Sequence, residues 1–124
     1  MSLLRHLQTY HGDWMSKIQE LNELFLSRPP VQFRIYPDEE VVTGRPLISP
    51  IAICNTVTRV PDTTEIMMMV DYYRQKRGYR IKGKDQFAIF LDSDPTVYYP
   101  AELVYIDNIE ECSEFLPNRF TIVI

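Results

Sequence analysis

The feature that most constrains the fold lies between residues 51 and 106, where short strand-like segments alternate with one helical segment. Residues 47–58 are apolar and β-branched, which favours a strand, and residues 87–91 and 101–106 favour two more. Between the first of these strands and the other two, residues at about 63–77 show the amphipathic period of a helix. Strands this short, joined by turns this frequent, are typical of barrels of the OB or SH3-like kind. The sequence therefore predicts an α+β fold in which one helix is inserted into a small β-barrel.

Two helices precede the barrel. Residues 2–9 carry leucines on one side and predict a short helix. Residues 14–26 predict a second helix, for which Asp13 is a suitable N-cap residue. Residues 31–36 then alternate apolar and polar side chains, as the first strand of a half-buried sheet does.

The inserted helix has start and stop signals of its own. Asp62 is suited to its N-cap, and Glu65 three residues later completes a capping box. Gly78 stands where a glycine ends a helix in the left-handed conformation. Residues 79–82 and 120–124 predict further strands. The apolar stripe of the inserted helix consists of Ile66, Met69, Val70 and Tyr73.

Length and composition indicate one globular domain. The chain has 124 residues, and 45% of them are hydrophobic, which excludes a disordered chain. No apolar run is long enough for a membrane span, and the N-terminus does not resemble a secretion signal. We expect a single domain over residues 1–124, with a helical pair at 1–28 and the barrel at 31–124. No membrane partner is expected.

The cysteines and histidines predict neither a disulfide framework nor a metal site. Two cysteines, Cys54 and Cys112, are too few for a disulfide scaffold, and Cys54 lies in an apolar run and is expected in the core. With His6 and His11 they show no metal-ligand spacing, so no cofactor or metal is expected. Two cysteines and no secretion signal favour an intracellular location, cytoplasmic or nuclear.

The charge distribution is uneven. The net charge of −4 excludes nucleic-acid binding through the whole surface. Residues 107–114 are acidic, whereas no acid interrupts a basic run that consists of Arg74, Arg77, Arg80 and the lysines at 76, 82 and 84. The cations in the last helical turn also suit the helix dipole, so part of this run has a structural explanation. A local phosphate site is the functional alternative.

The sequence contains no arrangement typical of an active site. It has no Ser/His/Asp or Cys/His combination at plausible positions and no glycine-rich phosphate loop. Glu39 and Glu40 are adjacent acids, but they stand in a predicted turn and are expected to be solvated. We therefore predict a binding module and no enzyme.

A resemblance to a known family rests on four segments, which are CNTVTRVP at 54–61, YYRQK at 72–76, FAIFL at 87–91 and YYPAEL at 98–103. Their order and spacing are similar to those of the PAZ domain, the RNA 3′-end-binding module of Argonaute, Piwi and Dicer proteins. The resemblance covers nearly the whole chain, including the N-terminal helical pair. Its main departure is the β-hairpin that precedes the family's helix, which is shortened here.

The resemblance implies a set of contacts for an RNA 3′ end. Tyrosine rings stack on an unpaired base, tyrosine hydroxyls donate to phosphate, and arginines add charge-assisted bonds. Tyr36 and Met67 occupy positions where the family has a histidine and a hairpin aromatic residue, and Arg77 replaces a second helix aromatic. The residues that the resemblance assigns to the RNA 3′ end are Tyr72, Tyr98, Arg74, Arg77, Tyr36, Arg80 and Met67.

Two functions follow as alternatives. In the first, the domain anchors the 3′ end of a small single-stranded guide RNA within an Argonaute- or Piwi-like protein active in RNA silencing. Its partners are then that RNA and the rest of the parent protein. In the second, a degenerate PAZ-like domain has lost end recognition and binds a protein partner as a scaffold, with the methionines at 67–69 as a contact surface.

Overall fold

The computed structural model describes residues 2–10 and 12–106 of the chain. These residues form three α-helices, eight strands and three short 3-10 helices. The α-helices are α1 (Leu3–Tyr10), α2 (Ile18–Leu26) and α3 (Met69–Lys76). The strands are β1 (Val31–Ile35), β2 (Glu40–Gly44), β3 (Pro46–Ala52), β4 (Val57–Arg59), β5 (Ile66–Met68), β6 (Phe87–Leu91), β7 (Asp94–Pro100) and β8 (Val104–Ile106).

The strands pair into three small antiparallel sheets. Their orders are β2-β1-β8, β3-β6-β7 and β4-β5. The α+β class is therefore confirmed, but over the described residues no sheet closes into the predicted barrel. The 3-10 helices Ile53–Asn55 and Ala101–Leu103 interrupt the chain between strands, and β8 has only three residues. These breaks end the hydrogen-bonded ladders before one sheet reaches the next.

The core has two parts. The first cluster joins α1 and α2 to the inner faces of β1, β3, β6 and β7, with Leu7, Leu21, Phe33 and Ile89 fully buried. The second cluster lies beneath α3, and it contains Ile53, Met69, Tyr72, Tyr73, Ile81, Ala88 and Leu103. The second cluster positions the candidate site because α3, the β4-β5 hairpin and β7 all contribute to its boundary.

The N-terminal helices are confirmed with one change. Helix α1 matches its prediction, but the second helix begins as the 3-10 helix Trp14–Ser16 and continues as α2. Asp13 makes no side-chain capping bond to the backbone. Its carboxylate instead accepts a hydrogen bond of 2.6 Å from Ser16 Oγ.

The inserted helix begins later than predicted. Residues 66–68 form β5, which pairs antiparallel with β4, and α3 starts only at Met69. The capping box is wrong because Asp62 has a φ of 65°, whereas an N-cap residue has extended backbone. Asp62 lies in the turn of the hairpin instead. Gly78 has a φ of 65°, which confirms the predicted left-handed glycine after α3.

Several smaller expectations need correction. Residues 79–82 form a loop and not a strand, and residues 47–58 divide into β3 and β4 around a 3-10 helix. Cys54 lies in that helix and is exposed, so its predicted place in the core is wrong. The predicted strand at 120–124, the acidic stretch and Cys112 lie outside the described residues. None of the helices described here is long and apolar enough to cross a bilayer.

Candidate functional site

Four of the residues assigned to the RNA end meet at the second core cluster. Tyr72 is buried within it, and Tyr36, Met67 and Tyr98 pack against it with part of their surface exposed. Tyr72 contacts Tyr73 edge to face, with ring centroids 5.0 Å apart. The sequence placed Tyr72 off the apolar stripe of the helix, and this is wrong. Because α3 starts at Met69, its buried face consists of positions 69, 72 and 73.

Arg77 is held at the end of α3 by three polar groups. Its Nε donates to the Tyr72 hydroxyl at 2.9 Å, and its two Nη groups donate to the carboxylates of Asp38 and Glu40. The guanidinium carbon lies 5.7 Å from the Tyr72 ring centroid. Burial alone lowers the pKa of Arg77, but the hydrogen bonds to Asp38, Glu40 and Tyr72 outweigh burial and raise it. Two carboxylates therefore compensate the Arg77 charge, and the prediction that Glu40 is solvated in a turn is wrong.

Tyr98 and Tyr99 lie on opposite faces of β7. Tyr99 is buried and lies opposite Ile89, whereas Tyr98 is half-exposed and lies opposite Phe90, with the Tyr98 and Phe90 ring centroids 5.5 Å apart. The pKa of the Tyr99 hydroxyl is raised by burial first, and then by the charges of Glu40 and Asp94. Tyr98 is thus the accessible tyrosine of the pair.

Two concave surfaces flank β7. A polar cavity of about 270 Å³ lies between β2, the hairpin turn and the β6-β7 turn. An open groove of about 380 Å³ lies between the β4-β5 hairpin and the start of β7. The polar cavity is lined by Glu40, Val42, Thr43, Arg59, Pro61, Asp62, Leu91, Ser93, Asp94, Val97 and Tyr99. The groove is lined by Val57, Thr58, Arg59, Thr64, Ile66, Pro95, Thr96 and Tyr98.

Arg59 lines both concave surfaces and fixes their geometry. Its Nε donates to Thr96 Oγ1 at 2.9 Å, one Nη to the Thr63 carbonyl at 3.1 Å and the other to Asp94 Oδ2 at 2.7 Å. The Tyr98 backbone amide donates to Thr58 Oγ1 at 2.9 Å, which adds a second link between hairpin and β7. These bonds hold the two walls of the groove at a fixed separation.

The remaining predicted residues lie apart from the groove. Among the residues that the resemblance assigns to the RNA 3′ end, Tyr98 lines the groove. Tyr72 and Arg77 line neither of the two concave surfaces. Arg74 is exposed and pairs with Asp71 at 3.1 Å across one helical turn. Arg80 is exposed on the loop that follows α3. The structure thus brings Tyr72 to Arg77 and places Tyr98 at the hairpin.

Sequence reasoning missed Arg59 and Tyr99. Arg59 lies in the quoted segment at 54–61, but its partners Thr96 and Asp94 stand 37 and 35 residues away, so no local pattern indicates them. Tyr99 follows Tyr98 directly, and strand alternation alone shows only that one of the two faces inward. The pairing of β7 with β6 decides which one it is.

Among the residues that the structure describes, no group of His, Cys, Asp and Glu side chains is arranged to hold a metal ion. The groove offers aromatic, apolar and hydroxyl groups together with the guanidinium of Arg59. This set is suited to binding an unpaired nucleotide or an apolar peptide segment. Comparison with protein families, with curated proteins and with solved structures identified no match. Membership of the PAZ family stays a prediction from the residues.

Proposed function

We propose that this domain binds the 3′ end of a small single-stranded RNA, as PAZ domains do, within a larger Argonaute- or Piwi-like protein of RNA silencing. The observation that carries the proposal is the groove beside Tyr98. It combines an accessible tyrosine with apolar walls and is open to solvent along the hairpin. Its volume of about 380 Å³ falls in the range of roughly 300–1,000 Å³ typical of small-ligand sites.

The terminal base takes the place against Tyr98. Stacking of a base on an aromatic side chain contributes about 1–3 kcal/mol and tolerates any base. Val57, Ile66 and Pro95 supply apolar contact on the other walls of the groove. The ring of Phe90 supports Tyr98 edge to face, which limits the rotamer entropy that stacking costs.

The sugar and phosphate meet polar groups at the rim. Thr64 and Thr96 line the groove. Thr96 Oγ1 donates to Asp94 at 2.8 Å and accepts from Arg59, so the Thr64 hydroxyl is the one that suits a terminal ribose hydroxyl. Arg59 carries five N–H donors and uses three of them in the bonds described above. Two donors are left for a phosphodiester. Arg77 contributes only if a phosphate displaces Asp38 or Glu40, so it plays a secondary part.

Fluorescence anisotropy with a labelled single-stranded RNA tests the proposal. Tyr98→Ala removes the stacking surface, so we expect the Kd to rise about 5- to 150-fold, the equivalent of 1–3 kcal/mol. Tyr98→Phe keeps the ring and is the matched control, with a Kd within about twofold of the wild type. Equal Kd values for wild type and Tyr98→Ala, with both folded, refute the proposal.

A second candidate function is favoured by the apolar side of the hairpin, which also forms one wall of the groove. Val57, Ile66 and Met68 are 49%, 67% and 38% exposed, an unusual concentration of apolar side chains on so short a hairpin. Such a face suits a protein partner, and the compensation of Arg77 by two carboxylates weakens the case for phosphate binding there. This alternative is favoured if the wild type retains a protein partner, Ile66→Asp does not, and the wild type shows no measurable RNA binding.

A further inference from the structure

The connection between α3 and β6 spans residues 77–86, and its stretch at 79–84 exposes cations that do not line the groove. The exposed Asp85 follows this stretch directly. Arg80, Lys82 and Lys84 are all exposed, and none of them has an ion-pair partner among residues 2–10 and 12–106. Carboxylates do compensate four arginines elsewhere, namely Arg45, Arg59, Arg74 and Arg77. The stretch at 79–84 is therefore a basic surface whose three cations are available to a partner.

The shape of the 79–84 loop is fixed by a carboxylate beneath it. Glu102 accepts hydrogen bonds from the backbone amides of Lys82 and Gly83, at 3.2 and 3.0 Å, and from the Tyr79 hydroxyl. Ile81 is fully buried in the second core cluster. Glu102 thus binds the backbone of the loop and not its cationic heads.

The ends of the loop are anchored as well. The Tyr79 amide donates to the Tyr73 carbonyl at 2.9 Å, and the Lys84 carbonyl accepts from the Cys54 amide at 3.0 Å. With both ends and the centre held, the alternation of buried and exposed positions directs Arg80 and Lys82 outward on either side of Ile81. The cations are presented on a pre-ordered backbone, which lowers the entropy cost of binding.

We propose that the 79–84 loop contacts the phosphate backbone of a single-stranded nucleic acid upstream of its terminal nucleotide. The proposal rests on the proposed function for the identity of the polyanion. The loop presents cations and no exposed aromatic ring between residues 80 and 84, so it recognises phosphate charge and not base identity. Arg80, which the family resemblance assigned to the end pocket, belongs to this surface.

The test compares a linear single-stranded RNA with a circular RNA of the same sequence, which has no 3′ end. In the triple variant Arg80→Gln/Lys82→Gln/Lys84→Gln, we expect the Kd for both RNAs to rise about tenfold or more. Each lost contact to a single strand reduces the slope of log K against log salt by about 0.7, so the slope falls by about two. Lys82→Arg/Lys84→Arg keeps the charge and retains the affinity. Arg5→Gln, which removes an exposed cation from α1, is the matched control and leaves both Kd values unchanged.

Each outcome separates this proposal from the end-binding proposal. If wild type binds linear and circular RNA equally while the triple variant weakens both, the loop surface stands and end recognition fails. If the triple variant binds both RNAs as wild type does, with the same salt slope, the loop proposal is overturned. It is also overturned if only the linear RNA is affected, or if polyglutamate of equal charge competes as well as RNA.

Discussion

The contacts of Arg77 predict a large loss of stability when its charge is removed. Arg77→Met keeps most of the side-chain volume but breaks the bonds to Asp38, Glu40 and Tyr72. A hydrogen bond to a charged group contributes about 1.5–3 kcal/mol when it is buried. The side chains of Asp38 and Glu40 are 53% and 37% exposed, and solvent screening reduces each ion pair to about 1 kcal/mol or less.

The Tyr72 hydroxyl adds to this loss because Tyr72 is buried and loses its donor. An unsatisfied buried polar group costs about 1–3 kcal/mol. We therefore expect Arg77→Met to lower the free energy of unfolding by about 2–3 kcal/mol. For a domain of this size that corresponds to a decrease in Tm of about 10 °C, measured by thermal denaturation followed by circular dichroism.

The control is Arg74→Met on the same helix. Arg74 makes one ion pair, to Asp71, and both side chains are largely exposed, so its removal changes the stability by no more than about 0.5 kcal/mol. Part of the Arg77→Met effect also disappears in 1 M salt, since surface ion pairs are screened there. If Arg77→Met melts within about 2 °C of Arg74→Met, the contacts of Arg77 with Asp38, Glu40 and Tyr72 do not stabilise the fold and the reasoning is refuted.

Further predictions concern pH and packing. The Arg45 backbone amide, and after it the Arg45 guanidinium, lowers the pKa of Asp92. The ionised Asp92 carboxylate therefore contributes to the free energy of unfolding in full above its unfolded pKa of about 3.9, and this contribution is lost as the pH falls through the lower folded pKa. Urea titrations at pH 2–6 check this, and Asp92→Asn flattens the acid limb. Burial raises the pKa of Tyr73. The free energy of unfolding therefore falls above about pH 10, where the phenol ionises in the unfolded chain but not in the folded one. In Tyr73→Phe we expect a shallower decrease of this free energy at alkaline pH. A methyl group at Gly44 would lie 3.1 Å from Leu91 Cβ, so Gly44→Ala destabilises by about 1–3 kcal/mol in a chemical denaturation experiment.

The elements that the sequence predicts well are those with a strong apolar period. Helix α1 and strands β1 and β6 each bury alternate or helically spaced residues against the first core cluster, so their local pattern and their tertiary role agree. The residue pattern predicts helix at Ile66–Met68, because this strand continues directly into α3 without a polar break. A run of methionines fits a helix and a strand almost equally, and the positive φ of Asp62 is not visible in the sequence.

The candidate site was predictable only in part, for a related reason. Tyr72 lies in the second core cluster and Tyr98 packs against it, but of the two only Tyr98 lines the groove. The partners that determine their roles lie far away in the chain: Arg77 meets Asp38 across 39 positions, and Arg59 meets Asp94 across 35. Long-range ion pairs of this kind depend on how sheets and turns pack, and the local hydrophobic pattern of the sequence does not predict that packing. They engage the Arg77 guanidinium with two carboxylates of the same fold.

The central claim is that the last nucleotide of an RNA strand lies in the groove beside Tyr98. Photo-crosslinking tests it directly, with a thiouridine at the 3′-terminal position of a short RNA and identification of the attached peptide by mass spectrometry. We predict attachment to the β4-β5 hairpin or the start of β7, reduced when an internal thiouridine replaces the terminal one. Attachment of the terminal thiouridine mainly to the 79–84 loop or to the N-terminal helices contradicts the claim.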